Sequence, residues 1–556
     1  MNSLIRGFIK KGLESKSFIS NKFINTTSVN KCLNYSTSTG SGDDIAKLNI
    51  KTSLEQHNKI NKQHKSPFIS LLQPHPYLKE LEKLQQQQQQ KDTKSNSNSN
   101  QIETTVLSNG LKIISKNKAE DSSAIVICLA GGTKYESAEN RGIFNLIEKM
   151  LFRSTTLQPA TEIISTLSDI TLNASASSSR EFLMITIESL RKDVDLILRI
   201  LSEQIKYPLL DPVEIEDQKQ VCIQHTMNSL SSHDVLNEYM HVVAFGSDMP
   251  GLGSPVHAEV ESIEKITPQM LTKAFKDYFV GKNLTVSCTG IVHQELVDLV
   301  SKYFGELPLE TPDSINTLDP KFSNPQYVGG HLNFQTEGSE HDDHTTMKIA
   351  FPFKGLIDIQ NPNSNDIFTG FVLQSMLGGG SDYSTGGPGK GMQSLLYKYV
   401  VFRLPEIRNC QAFFHILNHT SLFGIELTSQ PGYFTKAFNL LLGQLQTFNT
   451  SITEIQLQRA KNHHKSVILS NLELRSILSD DLARQMSLVG KSLTEEQICK
   501  NIDKVTLQDV KDLFTRLLHS KPSLITVTHP NDSLFSNFTD LDFQRIIQQI
   551  IPIQKK

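Results

Sequence analysis

No two of the six cysteines, Cys32, Cys128, Cys222, Cys288, Cys410 and Cys499, form a C-x-x-C pair. That absence excludes a thiolate zinc site and a disulfide scaffold. Buried apolar cysteines are expected instead, as in Ala124-Ile125-Val126-Ile127-Cys128-Leu129. Long apolar runs are missing too: stretches such as Ala124 to Ala130 fall far short of the roughly 20 residues a membrane-spanning helix needs. A soluble mature protein is expected. There is no surplus of positive charge either. Residues 1–40 hold six cations (Arg6, Lys10, Lys11, Lys16, Lys22, Lys31) and one acid, Glu14. That leaves 49 of the 55 Lys and Arg against 57 of the 58 Asp and Glu, a net of −8 for the rest. An acidic body disfavours a phosphate backbone, so no nucleic-acid partner is expected and basic partners are favoured.

What the first 40 residues do contain is a pattern. Leu4, Ile5, Phe8, Ile9 and Leu13 recur on one helical face among Arg6, Lys10 and Lys11, and a Ser/Thr/Asn-rich stretch follows. This reads as a mitochondrial transit peptide over 1–40, with a cleavage point in the region of Tyr35-Ser36. Residues 41–100 are polar and end in Gln85 to Gln90 and a Lys/Ser/Asn run to Asn100. Such a composition buries too little apolar surface to offset chain entropy, and disorder is expected there.

At 556 residues the chain exceeds what one core supports, since cores stop growing beyond about 250–300 residues. Folding is expected to begin near Thr104, with strands around Asn109-Gly110, a dipeptide suited to a type I′ hairpin turn. A strand at Ala124 to Leu129 and a helix with Ile143, Ile147, Met150 and Leu151 on its buried stripe follow. Next come a strand over Glu181 to Leu190, helices over 193–205, 212–230 and 268–279, and a strand over Leu284 to Cys288. The series then recurs. Glu214-Ile215-x-x-Gln218-Lys219 returns as Glu454-Ile455-x-x-Gln458-Arg459, and Ile263-Glu264-Lys265-Ile266-Thr267 as Ile502-Asp503-Lys504-Val505-Thr506, at offsets of 240 and 239. One shared register marks a duplication. Two homologous α+β domains are expected, 101–315 and 326–556, joined by a linker over 316–325, each a mainly antiparallel sheet packed by helices.

The series Gly142-Ile143-Phe144-Asn145-Leu146-Ile147-Glu148-Lys149-Met150-Leu151-Phe152 within such a duplicated chain resembles the pitrilysin/insulinase-type (M16) metallopeptidases, from Thr104 to the C-terminus. In active members, the resemblance implies, an inverted H-x-x-E-H helix holds Zn²⁺ through two histidines one turn apart, its glutamate acts as general base, and a later helix supplies a glutamate ligand. Here the histidine positions fall on Asn145 and Lys149 and the third ligand on Thr226, while Glu148 alone keeps its identity. Asn and Thr are poor zinc ligands, and an ammonium repels a dication. His225 stands beside the third position but cannot rebuild the set. The chain is therefore expected to bind no metal and to have no catalytic residues. The same helix reads equally as a core helix bearing a solvated Glu-Lys pair.

Seven of the fourteen residues from Gly378 to Gly391 are glycine. The Walker pattern fails here: aligned on Gly389-Lys390 it requires glycine at Ser384 and Ser or Thr at Gly391. On glycine content alone a flexible linker is the plainer reading. The string Gly386-Gly387-Pro388-Gly389-Lys390-Gly391-Met392 after Gly378-Gly379-Gly380-Ser381 resembles the glycine-rich loop of the α-type subunits of mitochondrial processing peptidases within that family. It departs at Leu377, where another glycine is usual, and at Asp382-Tyr383. The resemblance implies that Gly378, Gly379, Gly380, Ser381, Gly386, Gly387, Pro388, Gly389, Lys390 and Gly391 contact presequences of imported precursors. It further implies a heterodimer with a β subunit that carries the zinc and cleaves, in the mitochondrial matrix. The alternative is a core scaffold subunit of respiratory complex III, related in fold, possessing both roles in some lineages and touching the inner membrane only through that complex. Two groupings read as bland: His463-His464 as surface positions on a helix, and His341-Asp342-Asp343-His344 as a solvated loop.

Overall fold

The computed structural model describes residues 101–530 and Asp532, apart from 117–118, 231–234, 247–249, 316–321, 323–324, 336–343, 362–363 and 382–391. The transit-peptide reading, the polar segment 41–100, most of the expected linker, His341 to Asp343 and Asp382 to Gly391 lie outside the described residues.

The first half runs β1 (Ile102–Val106), β2 (Lys112–Lys116), β3 (Ser122–Leu129), α1 (Ile143–Met150), α2 (Ala160–Ile170), β4 (Thr171–Ser178), β5 (Leu183–Leu190), α3 (Val194–Lys206), α4 (Pro212–Leu230), α5 (Val235–Phe245), α6 (Val260–Lys265), α7 (Pro268–Tyr278), β6 (Leu284–Thr289) and α8 (His293–Phe304). The second half repeats it as β7 (Gly330–Gln335), β8 (Thr345–Lys354), α9 (Asp366–Leu377), β9 (Gly379–Ser381), α10 (Leu395–Tyr399), β10 (Ile407–His415), β11 (Thr420–Ser429), α11 (Phe434–Ser451), α12 (Glu454–Leu472), α13 (Arg475–Leu488), α14 (Glu495–Lys504), α15 (Leu507–His519) and β12 (Ser523–Thr528).

Each half builds a six-stranded sheet, ordered β1-β2-β6-β3-β5-β4 and β7-β12-β8-β11-β10-β9. The pairs β2–β6 and β7–β12 are parallel and all others antiparallel. The α+β duplication is thus visible strand by strand: five strands correspond in order. The halves differ at their edges, where the first adds β1 beside β2 and the second adds the glycine strand β9 beside β10.

The expected type I′ turn at Asn109-Gly110 is corrected. Among the described residues only Phe152 and Leu210 are non-glycine residues with positive φ, so Asn109 is not in the conformation that turn demands. Instead Gly110, at φ +81°, donates its N–H to the Leu107 carbonyl at 2.9 Å, and the chain crosses between β1 and β2 in a longer loop. Asn109 spends its side chain elsewhere, its Nδ2 donating to the Phe304 carbonyl at 2.9 Å.

Central strands are buried on both faces, which is why they read as unbroken apolar runs. In β3, Ile125, Ile127 and Leu129 face one core with Phe144, Ile147 and Leu198, while Val126 and Cys128 point to the other side. That other side is covered by a helix of the opposite half. Leu478, Leu482 and Met486 of α13 pack on Ile114, and Ala483 packs on Val126, Cys128 and Met184. The Ser479 hydroxyl donates to the Ala124 carbonyl at 2.9 Å. Reciprocally, Leu236, Met240 and Ala244 of α5 pack on Ala350, Leu422 and Ile525 of the second sheet. The first residues of α5 and α13 stand 240 apart, so the duplicated halves exchange one corresponding helix each.

Candidate functional site

Helix α1 exists because Ile143, Phe144, Leu146, Ile147 and Met150 form one buried stripe. Its N-terminus is fixed by Glu136, whose carboxylate accepts from the Gly142 N–H at 2.9 Å and the Phe144 N–H at 3.0 Å. Burial pushes the Glu136 carboxyl up to about 7, against the downward pull of those two amides. Gly142 sits at φ +88°, and a Cβ there would meet Ala258 at 2.7 Å, so the helix entry is closed to larger residues.

The three positions expected to have lost zinc-ligating character occupy the α1–α4 junction, and Thr226 and Lys149 are committed elsewhere. Asn145 is buried; its Nδ2 stands 3.5 Å from His257 Nδ1 and its Oδ1 has no partner. The Thr226 hydroxyl, on α4, donates to the Ala258 carbonyl at 3.1 Å. Lys149 places its ammonium on Glu148 Oε1. The other oxygen of Glu148 accepts from the Ser178 N–H at 2.7 Å and the Ser178 hydroxyl at 2.6 Å. His225 is exposed on α4. His257 is held below its ordinary value by burial, with His225 and Lys149 adding to that and Glu238 and Glu148 opposing it.

This corrects the expectation of a solvated Glu-Lys pair: the two side chains are only 12% and 18% exposed. The reason is β4, which closes over α1 and ties Glu148 to its last residue. The donor set does not fit a zinc ion. It offers an amide, a hydroxyl and a lysine whose positive charge already neutralises the one carboxylate. No group of three or more His, Cys, Asp or Glu suited to a metal occurs among the described residues.

Of the glycine-rich residues, Gly378 to Ser381 are described, whereas Gly386, Gly387, Pro388, Gly389, Lys390 and Gly391 lie outside the described residues. Helix α9 ends on Leu377, and Gly378 caps it at φ +56° by donating to the Gln374 carbonyl at 2.7 Å. The chain then turns into β9, which pairs with β10 as Gly379↔Gln411, Gly380↔Cys410 and Ser381↔Asn409. Gly379, at φ +108°, approaches so closely that a Cβ would stand 2.0 Å from the Cys410 carbonyl oxygen. Its N–H donates to the Ser394 hydroxyl at 3.0 Å, which draws the two ends of the segment together. Leu377, the position that departs from the family's usual glycine, is fully buried in the second core.

Sequence reasoning missed Ser178, Glu136 and His257, none of which stands in a motif. It also placed His464 at the surface. In the structure His464 is half-buried on α12, its ring stacked on Phe371 at 4.9 Å and its Nδ1 3.3 Å from the Ser375 hydroxyl.

The sequence pattern of the insulinase family (peptidase family M16) matches residues 112–254, and that of the peptidase M16 inactive domain matches residues 265–463. The chain is 38% identical over 547 residues to mitochondrial-processing peptidase subunit alpha-1 of Dictyostelium discoideum, covering 87% of this chain and 82% of that protein. The chain belongs to the M16 family. Within it, the group is that of the mitochondrial-processing peptidase α subunits. The probable subunit alpha-1 of Arabidopsis thaliana is 31% identical over 76% of this chain and 80% of its own length, and the human α subunit 26% over 76% and 81%. Among solved structures, a chain of complex III2 from Candida albicans, with Inz-5 bound, superposes with a TM-score of 0.65 at 17% identity, covering 81% of this chain and 100% of that one. That likeness concerns the M16 fold alone.

Proposed function

We propose that this chain is the non-catalytic, presequence-recognising subunit of a mitochondrial processing peptidase. It works as a heterodimer with a β subunit that supplies zinc and general base, in the mitochondrial matrix. The observation that carries the reading is the α1–α4 junction. A lysine ammonium stands at the second histidine position and the glutamate is spent on Ser178, so no water can be activated there. The family names of the relatives supply the mitochondrial setting and the processing role. The glycine segment supports the recognition half: Gly379 is pressed against β10 at a spacing that admits no side chain, which leaves backbone at the place of capture.

The test is binding of a fluorescent presequence peptide by the heterodimer, with and without residues 382–391. Deletion is expected to abolish binding while the heterodimer still assembles. Unchanged binding would favour the complex III scaffold role, and stoichiometric zinc in the isolated chain would sink the non-catalytic reading.

A further inference from the structure

Through the duplication, α9 and α12 correspond to α1 and α4, the helices of the lost metal site. In the first half that junction is filled by Lys149 and Glu148. In the second half the corresponding junction is open: a cleft of about 1400 Å³ lies between α12 and the corner where α9 enters β9. Its walls are rich in amides and hydroxyls, among them Gln374, Ser375, Ser394, Gln411, Gln458 and Asn462. Among the described lining residues, Arg459 is the one charged throughout the neutral range, and none is a carboxylate. Ile455 and Val467, 73% and 42% exposed, form an apolar rim.

We propose that this cleft is a peptide subsite that takes an extended, uncharged stretch of a polypeptide, beside the glycine segment. The inference rests on the presequence-binding reading and adds which part of the ligand is held here. Amide side chains donate and accept at once, matching the N–H and C=O groups of an extended backbone. With Arg459 and no carboxylate among the described lining residues, these walls favour an uncharged stretch of the presequence over its arginines. His464 marks the floor as built for a polar contact. Its ring is fixed by Phe371 and Ser375, burial and the neighbouring His463 hold it neutral, and its Nε2 is buried without a partner. Among the described strands β9 is the outermost of its sheet, with its one partner edge on β10.

The experiment measures presequence-peptide affinity for the full heterodimer by fluorescence anisotropy. Asn462 is exposed on α12, so Asn462→Trp fills the cleft without entering a core. It is expected to weaken binding at least tenfold. His464→Phe keeps the stack on Phe371 and removes the nitrogen, and is expected to weaken binding several-fold even if the tryptophan variant fails to assemble. Replacing the peptide's arginines by citrulline is expected to lower affinity overall while leaving the fold-effect of each variant unchanged. If the unmodified heterodimer binds the presequence and both variants bind it equally well, the subsite is overturned and the presequence reading stands. If the variant effects vanish with citrulline, the cleft reads cations and the proposal is wrong. Failure of the unmodified heterodimer to bind any presequence overturns both.

Discussion

Glu148 keeps the identity of the family's general base but not the freedom that role needs. A carboxylate that activates a metal-bound water must be free to accept a proton. Here one oxygen holds the Lys149 ammonium and the other accepts two bonds from Ser178, so the side chain joins α1 to β4. Removing it leaves a largely buried ammonium and an N–H without partners, each penalty larger than the bond itself. Glu148→Ala is therefore expected to destabilise the chain by about 2–3 kcal/mol, and Glu148→Gln by somewhat less, since the amide oxygen still accepts from Ser178 although its NH2 then faces the Lys149 ammonium. Chemical denaturation checks this; an alanine variant as stable as the parent would show that the carboxylate is not a tether. Cleavage by the assembled heterodimer is expected to follow stability and assembly alone.

At the scale of elements, the glycine strand shows what a backbone can do that side chains would prevent. In Gly379→Ala the new Cβ would collide with the Cys410 carbonyl oxygen, in a backbone conformation that L residues rarely adopt. The strand β9 is expected to lift from β10. In hydrogen exchange, the Ala412 N–H now bonded to the Gly378 carbonyl at 2.8 Å is expected to exchange at least tenfold faster. Gly443 of α11 is the control: nothing lies within 4 Å of a Cβ there, and Gly443→Ala is expected to be neutral or to stabilise by up to about 1 kcal/mol. Equal protection of Ala412 in both variants would refute the pairing. How much of this was legible varies with the physics. Helix α4 is readable to its ends, 212–230, from Asp211-Pro212 onward, and the repeat register marks the corresponding helices. Strand β4, Thr-Leu-Asn-Ala-Ser-Ala-Ser-Ser, alternates Leu172, Ala174 and Ala176 with polar residues, but two of these are only alanines and the strand pairs with β5 alone among the described strands, so its signal is weak and the tie of Glu148 to Ser178 was hidden with it. The stripe of Leu478, Leu482 and Met486 announces burial but not the partner, and the helix exchange is set by how the two halves pack. His464 was placed outside because adjacent histidines point different ways; that one of them faces Phe371 depends on how α12 lies against α9.

For the whole molecule, the exchange of α5 and α13 places polar groups where the halves meet. Lys134 and Glu181 form an ion pair 3% and 2% exposed, and the second oxygen of Glu181 accepts the Asn418 N–H of the other half at 2.7 Å. Beside it, His241 of α5 stacks on His415 of β10, ring centres 5.7 Å apart, with Arg180, Lys348, Glu238 and Glu426 in the surrounding network. Burial first, then Lys348 and Arg180, push His415 down to about 4 from 6.5, while Glu426 opposes them; His241 is lowered by burial, Arg180 and His415. Both rings are thus neutral in the fold at neutral pH. As pH falls below 6.5 the unfolded chain takes up protons that the folded chain refuses, so stability is lost between pH 6.5 and about 4, and none is lost above. For His415 alone that loss amounts to about 2 kcal/mol at pH 5. Carboxylates elsewhere titrate in the same range, but equally in a variant that lacks one ring. His415→Phe keeps the aromatic contact with His241, and its midpoint in urea is expected to fall less than the parent's between pH 7.5 and pH 5, by the equivalent of those 2 kcal/mol. Parallel falls in the two proteins would mean that the histidine at this junction takes up its proton as freely in the fold as outside it.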